Sequence, residues 1–342
     1  MNALPLELRA PRAARLPATP QLALAPAAQR EPHCFDACLR QATPTANALL
    51  KQIFGDSVMP RGEAIWLSDL IELMALFGVD PRATRTGVFR LTEQGCLTAR
   101  RYGRRSAYAV LPDAAEQLRG AWHALSAPPD YAWDGSWTLL INTGGGGSAP
   151  AFAALRRSLA EQGYCALTPQ VLARPTLPQR CAGDTLPIHA LTRQGGVLQV
   201  AGQQVDGLGA LSEMGRQAWN LSAAAAPYHA FLRRFAPLRQ ALADGQTLSA
   251  RQAFALRMLV AETYRQCRAS DPLLPSAFLP QDWPAMPAYE LCLDLYLHTF
   301  PLARQHVEQT LGEPVPVPVP PSLRSERTLQ RPPFRIHALA KA

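Results

Sequence analysis

The chain has no run of apolar residues long enough to cross a membrane, and its first residues lack the continuous apolar segment of a secretory signal. Arginines at positions 9, 12 and 15 would suit a transit peptide, but the surrounding prolines argue against one. The seven cysteines are odd in number and widely spaced, which indicates reduced thiols. We therefore expect a cytoplasmic protein with no membrane partner.

The residue patterns that enzymes and metal proteins require are also missing. His33, Cys34 and Cys38 resemble half of a zinc site, but no second ligand pair follows, so thiols in a flexible segment are the simpler interpretation. The glycine run Gly144–Gly147 is not followed by the Lys-Ser/Thr of a phosphate-binding loop, which favours a surface loop. No nucleophile–base pair or carboxylate pair is apparent, and four histidines are scattered: His189, His229, His298 and His306. We expect no catalytic residue, metal or cofactor.

Lysine is absent from the most basic stretch, Arg82 to Arg105, which holds seven arginines and one acid, Glu93. Asp80 suits a helix N-cap and Pro81 a first turn, and Gly95 suits a helix end, so a helix is predicted between them. Its inward face is predicted to hold Ala83, Gly87, Val88 and Leu91, and its outward face Arg82, Arg85, Thr86 and Arg90. The net charge of +8 favours an anionic partner only weakly, so this clustering is the stronger signal.

A hairpin is predicted after this helix, with strands at Cys96–Arg101 and Ser106–Val110 joined by a turn at residues 102–105. It carries Arg100, Arg101, Arg104 and Arg105. A helix followed by an arginine-tipped hairpin is how a winged helix binds DNA: the helix reads base edges, and the wing holds backbone or minor groove. Each arginine alone suits solvation or a local ion pair, but together these residues predict a DNA-binding surface. For Phe89 and Tyr102, packing between helix and wing is an alternative interpretation.

The residues before this helix are predicted to complete a winged helix-turn-helix over 44–112. Thr45 should start a helix that closes at Gly55, and Ser68 should cap a second helix that Gly78 stops. A short strand is expected at Ile65–Leu67, between these two helices.

Five further segments are predicted from composition and periodicity. Residues 1–43 should form a disordered tail, 113–132 a linker that is helical at first, and 312–342 a Pro-rich basic tail that adds sequence-independent DNA affinity. Residues 133–202 show short strands at Thr138–Ile141, Tyr164–Leu167, Pro187–Leu191 and Val197–Val200. Residues 203–311 are predicted to be helical, with a capping box at Ser249 and Gln252 that starts a central helix over 250–268.

Motifs along the chain resemble the PaaX family, repressors of phenylacetic acid degradation operons, over about residues 45–310. The marks are Phe54-Gly55-Asp56, Pro60-Arg61-Gly62, Ile65-Trp66, Phe77-Gly78-Val79, Arg85-Thr86, Arg90-Leu91, Gly103-Arg104-Arg105-Ser106 and Trp133-Asp134-Gly135-Ser136-Trp137. The resemblance implies an α+β protein with an N-terminal winged helix-turn-helix, a middle ferredoxin-like dimerisation domain and a C-terminal helical domain. It also implies double-stranded operator DNA as partner, a homodimer, and release from DNA by phenylacetyl-CoA or a related aryl-CoA inducer.

The family's C-terminal signature is matched by Tyr264-Arg265, Asp271-Pro272, Leu274-Pro275 and Pro280-x-Asp282-Trp283-Pro284. The resemblance implies ligand-binding roles for Tyr264, Arg265, Asp282 and Trp283, although a packed turn explains the last two equally well. The departures from the family pattern are Glu63, Cys96, Gln266, Ser270 and Ala285. Gln266 and Ser270 replace expected arginines, which allows a different acyl-CoA effector. An enzyme on a CoA or nucleotide substrate carrying a winged-helix module, and a winged helix that contacts only protein, remain alternatives.

Overall fold

The computed structural model of the chain describes residues 35, 38, 44–61, 64–143, 156, 159, 163–176, 196–202, 219–312 and 315. Several predicted features lie outside these residues, namely most of the tail 1–43, the glycine run 144–147, the strand 187–191 and nearly all of the tail 312–342. The described residues combine helices and sheets, which confirms the α+β class, with a helical region at the carboxyl end.

Three helices open the described fold: α1 (Ala46–Ile53), α2 (Leu67–Ala75) and α3 (Pro81–Glu93). The predicted start of α1 is confirmed, because the Thr45 hydroxyl accepts a hydrogen bond from the Ala48 amide at 3.3 Å. An N-cap side chain of this kind satisfies one of the amides that the first helical turn leaves without a partner.

The predicted closure of α1 at Gly55 is wrong. The chain continues from Phe54 to Val58 as a π-helical turn, and then as a 3₁₀ turn over Met59–Arg61. Gly55 and Asp56 are buried there, because the Asp56 carboxylate accepts hydrogen bonds from Arg257, which lies 201 residues away. A tertiary ion pair therefore overrides the local tendency of glycine to end a helix.

The predicted cap at Ser68 is also wrong. The N-cap residue of α2 is Trp66, which makes no side-chain cap bond, and the Ser68 hydroxyl donates to Asp69 Oδ1 at 2.8 Å. Trp66 is extended because it pairs with Ala107 in a neighbouring strand. The helix consequently starts as soon as this pairing ends.

A three-stranded antiparallel sheet follows and packs with these helices. Its strands are β1 (Ile65–Trp66), β2 (Leu97–Tyr102) and β3 (Arg105–Val110), in the order β1-β3-β2. The predicted hairpin is present, with strands that run closer to the turn than expected. Tyr102 pairs with Arg105, so only Gly103 and Arg104 form the turn, with Gly103 at a φ of +60°.

Helix α4 (Pro112–Ser126) connects this unit to a second, four-stranded antiparallel sheet. Its strands are β4 (Trp137–Asn142), β5 (Cys165–Thr168), β6 (Val171–Pro175) and β7 (Val197–Gly202), in the order β5-β6-β4-β7. The sequence analysis missed β6, a short strand that ends in a proline. Only two residues separate it from β5, with which it pairs antiparallel. Its pairing with β4 buries it near the centre of the sheet, with four of its five residues buried.

Three long helices form the carboxyl-terminal region: α5 (Leu221–Ala243), α6 (Ala250–Ala269) and α7 (Ala285–Thr310). The capping box predicted for α6 is confirmed, since Ser249 and Gln252 exchange both of its hydrogen bonds. Helix α6 is buried around most of its circumference, as its apolar residues predicted. None of the helices among the described residues combines the length and apolar character needed to span a membrane.

One hydrophobic core extends from the amino-terminal unit into the carboxyl-terminal helices. It joins buried residues of α1, α2 and α3 to those of α5, α6 and α7, and Phe77 lies against Phe254 at 6.3 Å between ring centroids. Phe35 and Cys38 also lie in this core, and the Cys38 carbonyl accepts a hydrogen bond from Arg234 Nη2 at 2.9 Å. Cys38 is therefore a buried core residue and not a thiol in a flexible segment. No disulfide joins the described cysteines.

Candidate nucleic-acid interface

Helix α3 is held in place at both ends and along its inner face. Asp80 Oδ1 accepts from the Ala83 amide at 2.8 Å, Pro81 occupies the first turn, and Gly95 beyond the end has a φ of +69°. The buried residues of the helix are Thr84, Gly87, Val88 and Leu91. This agrees with the predicted inner face, except that Thr84 is fully buried and Ala83 only partly so.

The outer face of α3 presents the predicted side chains to solvent. The exposed predicted residues on this helix are Arg82, Arg85, Thr86 and Arg90. The Thr86 hydroxyl donates to the Arg82 carbonyl at 3.0 Å, so its donor is used within the helix. What Thr86 offers to a partner is an acceptor lone pair and its methyl group.

Gly87 permits α3 to approach α1 closely. A Cβ at this position would lie 2.5 Å from Leu50 Cδ1, and Leu50 is completely buried. The close approach sets the depth of α3 against the core and hence the position of its arginine face.

The hairpin β2–β3 carries the second half of the predicted surface. The exposed predicted residues here are Arg100, Arg101, Arg104 and Arg105. Arg101 Nε donates to the Gly103 carbonyl at 3.1 Å, and the Arg105 guanidinium lies 3.9 Å from the centre of the Trp66 ring. These contacts order two of the four side chains and leave their charge at the surface.

Little acidic charge opposes these arginines. Among the described residues, no ion pair is formed by six of the seven: Arg82, Arg85, Arg90, Arg100, Arg101 and Arg104. Exposed arginines without acidic partners on neighbouring elements produce a positive potential that attracts phosphate groups.

The alternative interpretation of Phe89, as a residue packed between helix and hairpin, is wrong. Phe89 is 63% exposed on α3, and it follows Arg85 and Thr86 by four and three residues. Those spacings place it on their face of the helix. Tyr102 does pack, edge to face with Trp66 at 5.6 Å. Sequence reasoning missed Phe89 because an aromatic in an amphipathic helix is usually buried.

The candidate ligand residues of the carboxyl-terminal region do not form one group. Tyr264 is fully buried, Trp283 is partly buried with its ring 6.3 Å from that of Tyr228, and Asp282 is exposed. Arg265 is held by both carboxylate oxygens of the buried Glu262, at 2.7 and 2.6 Å. This ion pair raises the pKa of Arg265 and occupies its guanidinium within the helix.

The structure adds a buried carboxylate that the sequence analysis did not assign to a site. Asp271 Oδ2 accepts from the Tyr131 hydroxyl at 3.0 Å and the Tyr228 hydroxyl at 2.7 Å, beside Tyr264 and Arg268. Burial, reinforced by the Asp271 charge, raises the pKa of both Tyr131 and Tyr228 far above the ordinary value. Both hydroxyls therefore remain protonated donors to the carboxylate. Asp271 belongs to the family's C-terminal signature, through the pair Asp271-Pro272, but no sequence motif pointed to Tyr131.

A basic helix and hairpin on a mixed helix–sheet scaffold are typical of proteins that bind nucleic acids. Comparisons with known proteins agree with this class. Residues 45–114 match the family model described as PaaX-like protein, and residues 219–309 match the model described as PaaX-like protein C-terminal domain.

The transcriptional repressor PaaX of Escherichia coli (strain K12) is 32% identical over 290 residues, which cover 83% of this chain and 90% of that protein. The chain belongs to the PaaX family. The solved structure of the uncharacterized protein Rv0674 from Mycobacterium tuberculosis is 23% identical, with a TM-score of 0.46, over 70% of this chain and 90% of that chain.

Proposed function

We propose that this protein is a cytoplasmic, DNA-binding transcriptional repressor and not an enzyme. It acts on an operon for the catabolism of phenylacetate-type aromatic acids, and an aryl-CoA inducer such as phenylacetyl-CoA releases it from DNA. The observation that carries this proposal is the arginine surface of α3 and the β2–β3 hairpin, in a chain that is 32% identical to a transcriptional repressor.

In this proposal residues 44–112 are a winged helix-turn-helix. Helices α1, α2 and α3 precede a hairpin whose strand β3 also pairs with β1, which is the element order of that fold. Helix α3 enters the major groove, and the hairpin lies against the sugar-phosphate backbone or the minor groove. Arginines of α3 contact base edges, where a bidentate contact to guanine gives sequence discrimination.

Phe89 extends the proposed interface by a contact that carries no charge. Its exposed ring stands among the arginines of α3, where an apolar side chain suits the methyl group of thymine. Such a contact would add sequence preference without adding to the salt dependence, because it releases no counterions.

The middle sheet supports a proposal of dimerisation. The spatial order of this sheet is β5-β6-β4-β7, so β6, its third strand along the chain, lies between β4 and β5, its first and second. All neighbouring strands are antiparallel, and this arrangement is expected of a ferredoxin-like domain. A homodimer with two-fold symmetry would present two α3 helices to two half-sites of a pseudo-palindromic operator.

Coupling between an inducer and DNA requires contact between the regions that bind them. The continuous core offers it, together with the buried ion pair of Asp56, beyond α1, with Arg257 in the middle of α6. An inducer that binds better to a conformer incompatible with DNA would shift the population away from the operator complex.

The decisive experiment measures binding to DNA upstream of the protein's own gene and to a scrambled fragment, at fixed salt, with and without phenylacetyl-CoA. We expect preference for the upstream DNA and its loss on addition of the ligand. Preference that ignores the ligand would retain the repressor and reject this effector. Equal binding to both fragments would contradict operator recognition at this site.

Two variants assign the contacts on the proposed surface. Arg85→Ala should cost ~1–3 kcal/mol at the operator if Arg85 contacts a base edge, whereas equal losses on operator and scrambled DNA would make it a phosphate contact. Arg104→Ala should weaken binding to both fragments and reduce the slope of log K against log[salt] by about 0.9. Arg239→Ala is the matched control, because Arg239 is also exposed but lies on α5, paired with Asp294.

A further inference from the structure

Asp271 is the centre of a buried polar cluster between α6 and the segment that follows it. The residue is 2% exposed, yet its carboxylate is well satisfied. Besides the hydroxyls of Tyr131 and Tyr228, the Leu273 amide donates to Asp271 Oδ1 at 2.7 Å. Three hydrogen bonds to one buried carboxylate hold it in a fixed position and thereby order the groups around it.

Two further donors, on Tyr264 and Arg268, lie beside this carboxylate. The Tyr264 hydroxyl and Arg268 Nη1 are both buried, and neither has a hydrogen-bond partner among the described residues. Tyr264 itself is completely buried. Buried donors without partners are rare in folded proteins and indicate an acceptor that joins them, such as a water molecule or a ligand oxygen.

The charge in the cluster favours an electron-rich acceptor. Burial alone would lower the pKa of Arg268, but the nearby tyrosines and Asp271 outweigh it and raise that pKa. Arg268 thus stays protonated, while its neighbour Asp271 is already occupied by three other donors. A carbonyl or carboxylate oxygen would accept from the guanidinium and the Tyr264 hydroxyl together.

The surroundings of the two donors are aromatic. The Tyr264 ring lies 5.8 Å from that of Phe231 and 6.3 Å from that of Tyr289, and Trp283 lies against Tyr228 at the same 6.3 Å. At these spacings the rings contact one another edge to face or tilted, and a ligand ring would contact their edges and faces in the same way. Leu273, next to the cluster, has a φ of +48°, a strained value for leucine that its bond to Asp271 maintains.

We propose that this cluster binds an aromatic acyl group, whose carbonyl or carboxylate oxygen accepts from Tyr264 and Arg268 and whose ring lies against the neighbouring aromatic side chains. The inference rests on the proposed function, since it places the aryl end of the effector there. Of the four residues expected to bind ligand, it retains Tyr264 and Trp283, drops Arg265 and Asp282, and adds Arg268.

Tyr264→Phe is the sharpest variant because it removes only the hydroxyl. That hydroxyl has no protein partner among the described residues, so its loss should leave the thermal midpoint unchanged or slightly higher. Calorimetric titration of the full chain with phenylacetyl-CoA should nevertheless show a Kd roughly 3- to 10-fold higher than for the unsubstituted protein. Tyr108→Phe, a partly buried tyrosine on β3, is the matched control and should change neither quantity.

Arg268→Lys tests the charged donor, because it keeps the positive charge and loses the fixed geometry of the guanidinium. We expect a rise in Kd of at least roughly 10-fold. Free phenylacetate and free CoA are titrated separately. Phenylacetate should bind weakly and be weakened further by Tyr264→Phe, and free CoA should not respond to that substitution.

Three results would overturn the inference. The first is an unchanged Kd for Tyr264→Phe and Arg268→Lys. The second is a fall in the thermal midpoint of Tyr264→Phe with no change in Kd, which would indicate a structural water. The third is the absence of any binding of phenylacetyl-CoA. Operator binding measured without ligand on the same samples tests the proposed repressor separately, so each proposal can fail alone.

Discussion

Removing one partner of the buried pair Asp56–Arg257 should destabilise the fold more than most single substitutions. The side chains of these residues are 3% and 4% exposed, and Asp56 Oδ1 receives Arg257 Nη2 at 2.7 Å and Nε at 3.1 Å. Tyr296 binds both partners through its hydroxyl, and Ser57 donates to Asp56 Oδ2 at 3.0 Å.

The magnitude follows from what each substitution leaves behind. Arg257→Met leaves the buried Asp56 carboxylate without a counter-charge, with only hydroxyl groups as partners. Asp56→Asn leaves the buried Arg257 guanidinium without a counter-charge. Either single change should lower the free energy of unfolding by about 3–5 kcal/mol. The double variant removes both charges, so it should lose less than the sum of the singles, with a coupling of about 2 kcal/mol or more.

Urea denaturation followed by circular dichroism measures these free energies, with unchanged m-values as a check on the comparison. Arg239→Ala is the control, because its pair with Asp294 is 51% and 57% exposed and should matter by less than about 1 kcal/mol. Losses below about 1 kcal/mol for both Asp56→Asn and Arg257→Met, or additive losses in the double variant, would refute the reasoning.

Three further predictions concern the amino-terminal unit and its contact with α7. Gly87→Ala should lower stability by roughly 1 kcal/mol, because crowding against the buried Leu50 outweighs the better helix propensity of alanine; an increase in the thermal midpoint would contradict this. Phe89→Ala should weaken operator binding severalfold without changing the salt slope, and replacing operator thymines by uracil should affect only the unsubstituted protein; a changed slope would contradict an apolar contact. Burial, with Arg251 nearby, lowers the pKa of His306 below 6.5 against the opposing effect of Glu72. Its neutral form therefore stabilises the fold above pH 6.5, and this contribution is lost as the pH falls through the lowered pKa. Thermal midpoints between pH 7.5 and 5 should consequently fall less for His306→Gln, and parallel curves would exclude this role.

Helix α3 and its hairpin were predictable because their signals are local. Asp80 and Pro81 mark the helix start, Gly95 the end, and Gly103 the turn, and each acts on residues within a few positions along the chain. The predicted arginines and Thr86 are all exposed, since charged side chains on one face of an amphipathic helix remain in water.

The errors share a different cause. Gly55 did not end α1 because Asp56 binds Arg257, and Ser68 did not cap α2 because Trp66 pairs with β3. Cys38 is buried through contacts with the carboxyl-terminal helices. In each case a partner far along the chain overrode a local preference that is worth only about 1 kcal/mol.

The sequence by itself determined the arginine face of α3, the arginine-tipped hairpin, the capped central helix α6 and the family. These depend on short-range periodicity, capping and turn chemistry, which the order of residues states directly. Only the tertiary structure decided that Phe89 is exposed, that Asp56 meets Arg257, and that Tyr264 and Arg268 keep buried donors beside Asp271. Burial and pairing depend on which distant segments share the core, and that is settled only when the whole chain has packed.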